Sequence, residues 1–182
     1  MRKYSLLFSL LALILLFSGC SVEEPVTEPT GASVFGDFTA TDLNGNAVDQ
    51  EIFKERKLTM VNIWATFCGP CINEMPELGQ LAEEYGEDLQ IIGIVVDAAD
   101  QNGNVLPQQK ADALEIVKNT GASYTHLLPS KDLNDAYLSG VQSVPTTLFV
   151  DENGCLVGAS LVGARNKAQW KSIVDSLLEQ VK

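Results

Sequence analysis

The sequence predicts an α/β fold with a central mixed β-sheet and helices on both faces. Three observations predict it. Leu58 to Ala65 and Leu89 to Val96 are nearly unbroken apolar runs, as expected of strands covered on both sides. Other segments carry apolar residues at helical spacing. Turn-forming clusters at Asp42 to Asn46 and Asp151 to Gly154 mark two hairpins. The resulting order of elements is a hairpin, then alternating strands and helices, then a second hairpin and a last helix. Such an order packs as a mixed sheet between helical layers.

Phe38–Thr41 and Ala47–Val48 flank the turn that contains Asn44-Gly45, a strong hairpin signal. Leu58 to Ala65 is the first buried strand. The next segment is a helix with Met75, Leu78, Leu81, Ala82 and Tyr85 on one side. Pro76 lies inside that helix, removes a backbone donor and is expected to kink it; Gly86 ends it. After the strand Leu89 to Val96, Ala98 to Pro107 is a polar loop. Gln108 to Asn119 is a helix stopped by Gly121, with Ala111, Leu114 (or Ala113) and Val117 on one side. Tyr124 to Leu127 is a short strand, and Asp132 to Leu138 a short helix capped by Ser130. Thr146 to Val150 and Leu156 to Val162 are the strands of the second hairpin. Asn166 to Val181 is the last helix, with Ala168, Trp170, Ile173, Val174, Leu177 and Leu178 facing inward.

The first residues differ from the rest. Arg2 and Lys3 precede a twelve-residue apolar run, Leu6 to Phe17, and small residues follow at Ser18 and Gly19. This layout reads as a secretory signal over residues 1–19. The run is short for a membrane-spanning helix, which needs about 20 residues. Leu16-Phe17-Ser18-Gly19-Cys20 resembles the lipobox of bacterial lipoproteins, with Phe17 where Leu is usual. That resemblance implies lipid on Cys20 and a membrane anchor without a transmembrane helix. Residues 20–34 carry three Glu, two Pro and no apolar periodicity, and read as a flexible tether. Residues 35–182 form the domain. The chain carries a net charge of −12, and both basic residues of the leader count against the remainder. So acidic a chain excludes phosphate-backbone binding, which needs basic clusters.

Cys68 and Cys71 stand at Cys-x-x-Cys spacing between a buried strand and a helix. A cysteine at a helix N-terminus meets unpaired N–H groups and the positive end of the helix dipole. Both favour thiolate, so Cys68 is the expected nucleophile. Cys71, one turn in, can attack a mixed disulfide formed by Cys68. Zinc would need four ligands; beyond this pair the domain offers only His126 and Cys155, which the sequence sets far apart.

Trp64-Ala65-Thr66-Phe67-Cys68-Gly69-Pro70-Cys71, followed later by Val144-Pro145-Thr146, resembles the thioredoxin superfamily. The nearest likeness is to its membrane-tethered, extracytoplasmic TlpA/ResA-like branch, over Phe35 to Lys182. The resemblance implies a thioredoxin-like fold, with Ala98 to Leu127 as the helix and strand that this branch inserts. It implies Cys68 as exposed nucleophile, Cys71 as buried resolving cysteine and Pro145 as a cis-proline facing the disulfide. Val144 before it, with Gly69, Pro70 and Trp64, then forms the substrate-binding surface, and Gly163 lies at the groove rim. Glu74 matches an acidic residue used near the thiols. Cytoplasmic thioredoxins carry a buried Asp six residues before the first cysteine; here it is Asn62, which takes no proton, leaving Glu74 as the candidate acceptor.

Two readings stand for several of these residues. Glu74 is a proton acceptor or a solvated helix carboxylate. Trp64 is core or substrate rim. Asp97 and Asp100 line the groove or are loop acids. His126 reads as structural or exposed, and Cys155 as a bystander thiol. The function expected is an extracytoplasmic thiol-disulfide oxidoreductase that reduces protein disulfides, with no cofactor. Apocytochrome c and an exported methionine sulfoxide reductase are candidate partners, alongside a membrane electron donor. Two alternatives have weaker support. A peroxiredoxin would carry Thr and Pro where Ala65 and Val61 stand. A copper-delivery module would need wider cysteine spacing and a matched histidine.

Overall fold

The computed structural model describes residues 31–181. The leader 1–19, Cys20 and the rest of the tether up to residue 30 lie outside the described residues. The strands are β1 (Thr39–Thr41), β2 (Ala47–Asp49), β3 (Leu58–Trp64), β4 (Leu89–Val95), β5 (Thr125–Leu127), β6 (Thr146–Asp151) and β7 (Leu161–Val162). The helices are α1 (Gly69–Tyr85), α2 (Pro107–Thr120), α3 (Lys131–Ala136) and α4 (Lys167–Leu178). β1 and β2 pair as the N-terminal hairpin, and five strands form the central sheet in the order β5-β4-β3-β6-β7. β3 runs parallel to β4 and antiparallel to β6, so the sheet is mixed.

Alternation along the strands sorts the core into two sides. Val61, Ile63, Ile92, Ile94, Leu148 and Val150 pack with Phe35, Phe38, Phe53, Leu133 and Leu138. This side is closed by the N-terminal segments and α3. Leu58, Met60 and Phe149 pack on the opposite side with Leu78 and Leu81 of α1 and Trp170, Val174 and Leu177 of α4. Trp64 continues that side toward Cys68, Cys71 and Met75. Every residue of β3 is buried, which makes this central strand a fixed platform for whatever follows it.

The differences from the sequence reading have local causes. Leu156 to Val162 is not one strand. Leu156 makes a single bridge to Val150, Gly158 turns the chain at positive φ, and pairing resumes only at Leu161–Val162. An extended ladder cannot continue through a residue in the left-handed region. α2 begins at Pro107 rather than Gln108, because a proline at the first helical position gives up only an N–H that has no partner there. Pro76 lies inside α1 as expected, on its solvent side, and the helix continues past it to Tyr85. Ser130 caps α3 as predicted, accepting from Leu133 N–H.

Candidate active site

β3 ends at Trp64, and the turn Ala65-Thr66-Phe67 leads directly into α1. Cys68 N–H donates to the Ala65 carbonyl at 3.0 Å, which closes the turn. Cys68 is then the N-cap of α1, in extended backbone geometry, and its Sγ accepts from Cys71 N–H at 3.3 Å. Cys68 and Cys71 are joined as a disulfide with Cα atoms 5.3 Å apart. Their access differs: Cys68 is 6% exposed and Cys71 0%. Only Cys68 offers its sulfur to an incoming group. Gly69 and Pro70, the first two helical residues, are exposed beside it.

Two neighbours take roles that the sequence did not assign. Phe67 is 78% exposed immediately before the nucleophilic position. A large apolar side chain so placed costs hydration and gains no packing within the chain. Asp97, just past β4, accepts from Thr66 N–H at 3.0 Å and from the Thr66 hydroxyl. It is not a free loop acid: it pins the turn that presents Cys68. Asp100 instead organises its own loop, accepting from Asn102 and Asn104 N–H.

The Val144–Pro145 peptide is cis. Val144 packs against the cluster that contains Cys68, Cys71 and Trp64. The Pro145 carbonyl accepts from Gly163 N–H at 2.9 Å, and Gly163 has φ +91°, a geometry that favours glycine. The structure thus brings Cys68, Cys71 and Val144 to one cluster, with Gly163 tied to Pro145 behind it. Trp64 requires a correction. It is fully buried, so of its two readings only core packing holds, and it offers no surface to a substrate.

Glu74 is 4% exposed, which removes the reading as a solvated carboxylate. It sits three residues after Cys71, and residues three and four apart share a helix face. That face carries Cys71, Met75 and Leu78 onto the sheet, and Glu74 goes with them. Its Oε1 accepts from Asn62 Nδ2 at 3.1 Å. Its Oε2 accepts from Arg165 N–H at 3.0 Å and from Trp170 Nε1–H at 3.3 Å. Asn62 Nδ2 also donates to Thr147 Oγ1 at 3.1 Å, across the register pair Asn62↔Thr147. Burial pushes the Glu74 carboxyl above the usual range, partly offset by the Arg165, Asn62 and Trp170 donors. Burial, with the nearby Glu74 charge, also pushes the Tyr124 phenol up.

A carboxyl raised by folding binds its proton more tightly in the native state than in the unfolded one. Its contribution to stability is therefore full below the ordinary glutamate range and is lost as pH rises through the raised value. Glu74→Gln should abolish that slope: the wild-type minus variant stability, from urea melts, should fall as pH rises from about 4 to 7. A constant difference across this range would contradict the assignment.

The profile of the Redoxin family matches residues 29–178. The chain belongs to the Redoxin family. Among relatives of this Redoxin-family chain is the thioredoxin-like protein YneN of Bacillus subtilis. It is 28% identical over 139 residues, spanning 76% of this chain and 75% of YneN. The thiol-disulfide oxidoreductase ResA of Halalkalibacterium halodurans is 29% identical over 147 residues, spanning 80% and 73%. A thiol:disulfide interchange protein of Chlorobium tepidum shares the fold with TM-score 0.66 at 24% identity, over 83% of this chain and 97% of that one. The exposed lipoprotein thioredoxin Etrx1 of Streptococcus pneumoniae does so with TM-score 0.60 at 24% identity, over 78% and 99%. The fold is thioredoxin-like, and the chain is a thiol-disulfide oxidoreductase with Cys68 and Cys71 as its cysteine pair.

Proposed function

We propose that the chain reduces disulfides of exported proteins while held to the outer side of a bacterial cytoplasmic membrane through lipid on Cys20. The observation that carries the exchange mechanism is the asymmetry of the pair: a reachable Cys68 at the helix start, an enclosed Cys71, and a buried carboxyl one turn further on.

In the reduced enzyme the Cys68 thiolate attacks one sulfur of the substrate disulfide. A Cys68–substrate bond forms, the substrate S–S bond breaks, and the departing thiolate takes a proton from solvent. Cys71 then gives its proton to Glu74 and attacks Cys68 Sγ. The mixed disulfide breaks, the second substrate sulfur leaves as a thiolate and takes a proton from solvent, Glu74 returns its proton to solvent, and the Cys68–Cys71 disulfide remains. The helix N-terminus and Cys71 N–H stabilise negative charge on Cys68. Gly69, Pro70 and Val144 line the approach, and the exposed Phe67 adds an apolar contact for the substrate. Two electrons return the pair to the dithiol. A membrane thiol donor supplies them, and apocytochrome c thiols or an exported methionine sulfoxide reductase are candidate recipients. The lipobox-like Leu16 to Cys20 and the likeness to an exposed lipoprotein thioredoxin support the anchored location.

The direction is tested by equilibrating the protein with glutathione buffers. Gly69-Pro70 between the cysteines sets the expectation near the thioredoxin value, about −270 mV, and a potential above about −180 mV would overturn the reductive assignment. The proton step is tested in Glu74→Gln by alkylating the thiols across pH. The titration should shift, and an unchanged curve would remove Glu74 from the mechanism.

A further inference from the structure

We propose that His126 is a positioning residue for the disulfide exchange, acting through Trp64. The imidazole is buried in β5, and both of its nitrogens are engaged. Trp64 Nε1–H donates to His126 Nδ1 at 3.2 Å, and His126 Nε2 lies 2.9 Å from the Ala122 carbonyl. A carbonyl only accepts, so Nε2 carries the proton and Nδ1 is the bare acceptor that the indole requires. The bond therefore exists only for one neutral tautomer. Burial favours that state by holding the imidazole down to about 4, so the ring stays neutral at working pH.

Three observations distinguish this from an ordinary satisfied core histidine. First, the indole it holds belongs to the last residue of β3, four before Cys68, and packs in the cluster containing both cysteines. Its ring shares that buried cluster with the disulfide. Second, β4 makes room for the bond. Gly93 lies between Asn62 and His126 in the sheet register. A Cβ at Gly93 would stand 2.2 Å from His126 Nδ1 and 3.0 Å from Trp64 Nε1. The one glycine of β4 is the position where the two rings meet. Third, the histidine is clamped on its other side. Tyr124 packs against it, tilted by 32°, with centroids 4.4 Å apart, and the Ala122 carbonyl fixes Nε2. Ala122, Tyr124 and His126 all lie in the segment that enters after α2. That segment thereby acts as a brace behind the cysteine turn, and its one histidine transmits the brace to Trp64.

The inference uses the thiol exchange at Cys68 and Cys71, but its first test does not depend on activity. In the full-length protein, ¹⁵N NMR of His126 should report a neutral ring protonated at Nε2 from about pH 5 to 8. An Nδ1–H ring or an imidazolium over that range overturns the proposal. The second test is kinetic. His126→Phe keeps an aromatic ring and removes the acceptor. It should slow insulin disulfide reduction about tenfold, since small misplacements near reacting groups cost that much or more. His126→Gln restores an acceptor and should recover the rate to within about threefold. In a Trp64→Phe background, with no indole N–H to hold, His126→Phe should change the rate less than about twofold. The pH midpoint of Cys68 alkylation should move in His126→Phe and return in His126→Gln. The same tenfold loss in both backgrounds, or no recovery with Gln, would show that His126 merely fills space.

Discussion

Cys71→Ser is expected to stop turnover with the substrate still attached, and Cys68→Ser to stop it before attachment. The reason is the difference in access between the two sulfurs. With Cys68 intact, attack on a substrate disulfide proceeds, but no thiol remains inside the helix to release the product. With Cys68 gone, the enclosed Cys71 has no path to a partner. Each variant should lower insulin reduction by at least about a thousandfold, the scale of losing a covalent nucleophile. Non-reducing electrophoresis separates them: a mixed disulfide accumulates with Cys71→Ser and is absent with Cys68→Ser. Covalent capture by Cys68→Ser, at equal or greater yield, would reverse the assigned roles. The trapped species from cells would also identify the physiological substrate.

Trp170→Ala should produce the largest loss of stability. Trp170 is fully buried, packs edge-on against Phe149 at 6.3 Å, and carries the Arg165 guanidinium over its ring at 5.0 Å. Truncation of a buried tryptophan costs about 3–5 kcal/mol through lost transfer energy and the cavity left behind. Here it also removes the Nε1–H donor to Glu74, leaving a buried carboxylate with fewer partners. Trp170→Phe separates the two effects. It keeps most of the volume, should cost about 1–2 kcal/mol, and should push the Glu74 carboxyl further up. Urea melts measure the first, and the infrared band of the protonated carboxyl, followed against pH, measures the second. A Phe variant with wild-type stability and an unmoved band would mean that the indole N–H contributes nothing.

The parts of the fold written into short stretches of sequence were legible. Apolar runs marked β3 and β4, helical spacing marked α1 and α4, and Asn44-Gly45 marked the first hairpin. The Cys68–Cys71 pair was legible for the same reason: strand, turn and helix start are contiguous. What was hidden depends on residues distant in the chain. The family resemblance singled out Glu74, but its partners Asn62, Arg165 and Trp170 meet it only after β3, the turn that follows β7 and α4 have packed, so the residues around it do not show that it turns inward. The alternation of β3 did place Asn62 on the same side as Met60 and Trp64, a signal that a polar partner would be needed there. Asp97 stands 31 residues from Thr66, and only the parallel pairing of β3 with β4 brings them together. Trp64 and His126 meet across β4 through Gly93, whose meaning lies in the missing side chain. β7 is short because one glycine turns the backbone, an effect that hydrophobic patterning does not register.

The most direct test is alkylation of the fully reduced protein at neutral pH, with each cysteine followed by mass spectrometry. Cys68 should be labelled first and faster than an ordinary thiol. Cys71 should lag because it is enclosed, and Cys155 because burial pushes its thiol up. If Cys71 reacts as fast as Cys68, or Cys68 reacts no faster than Cys155, the helix start is not activating a nucleophile and the account fails.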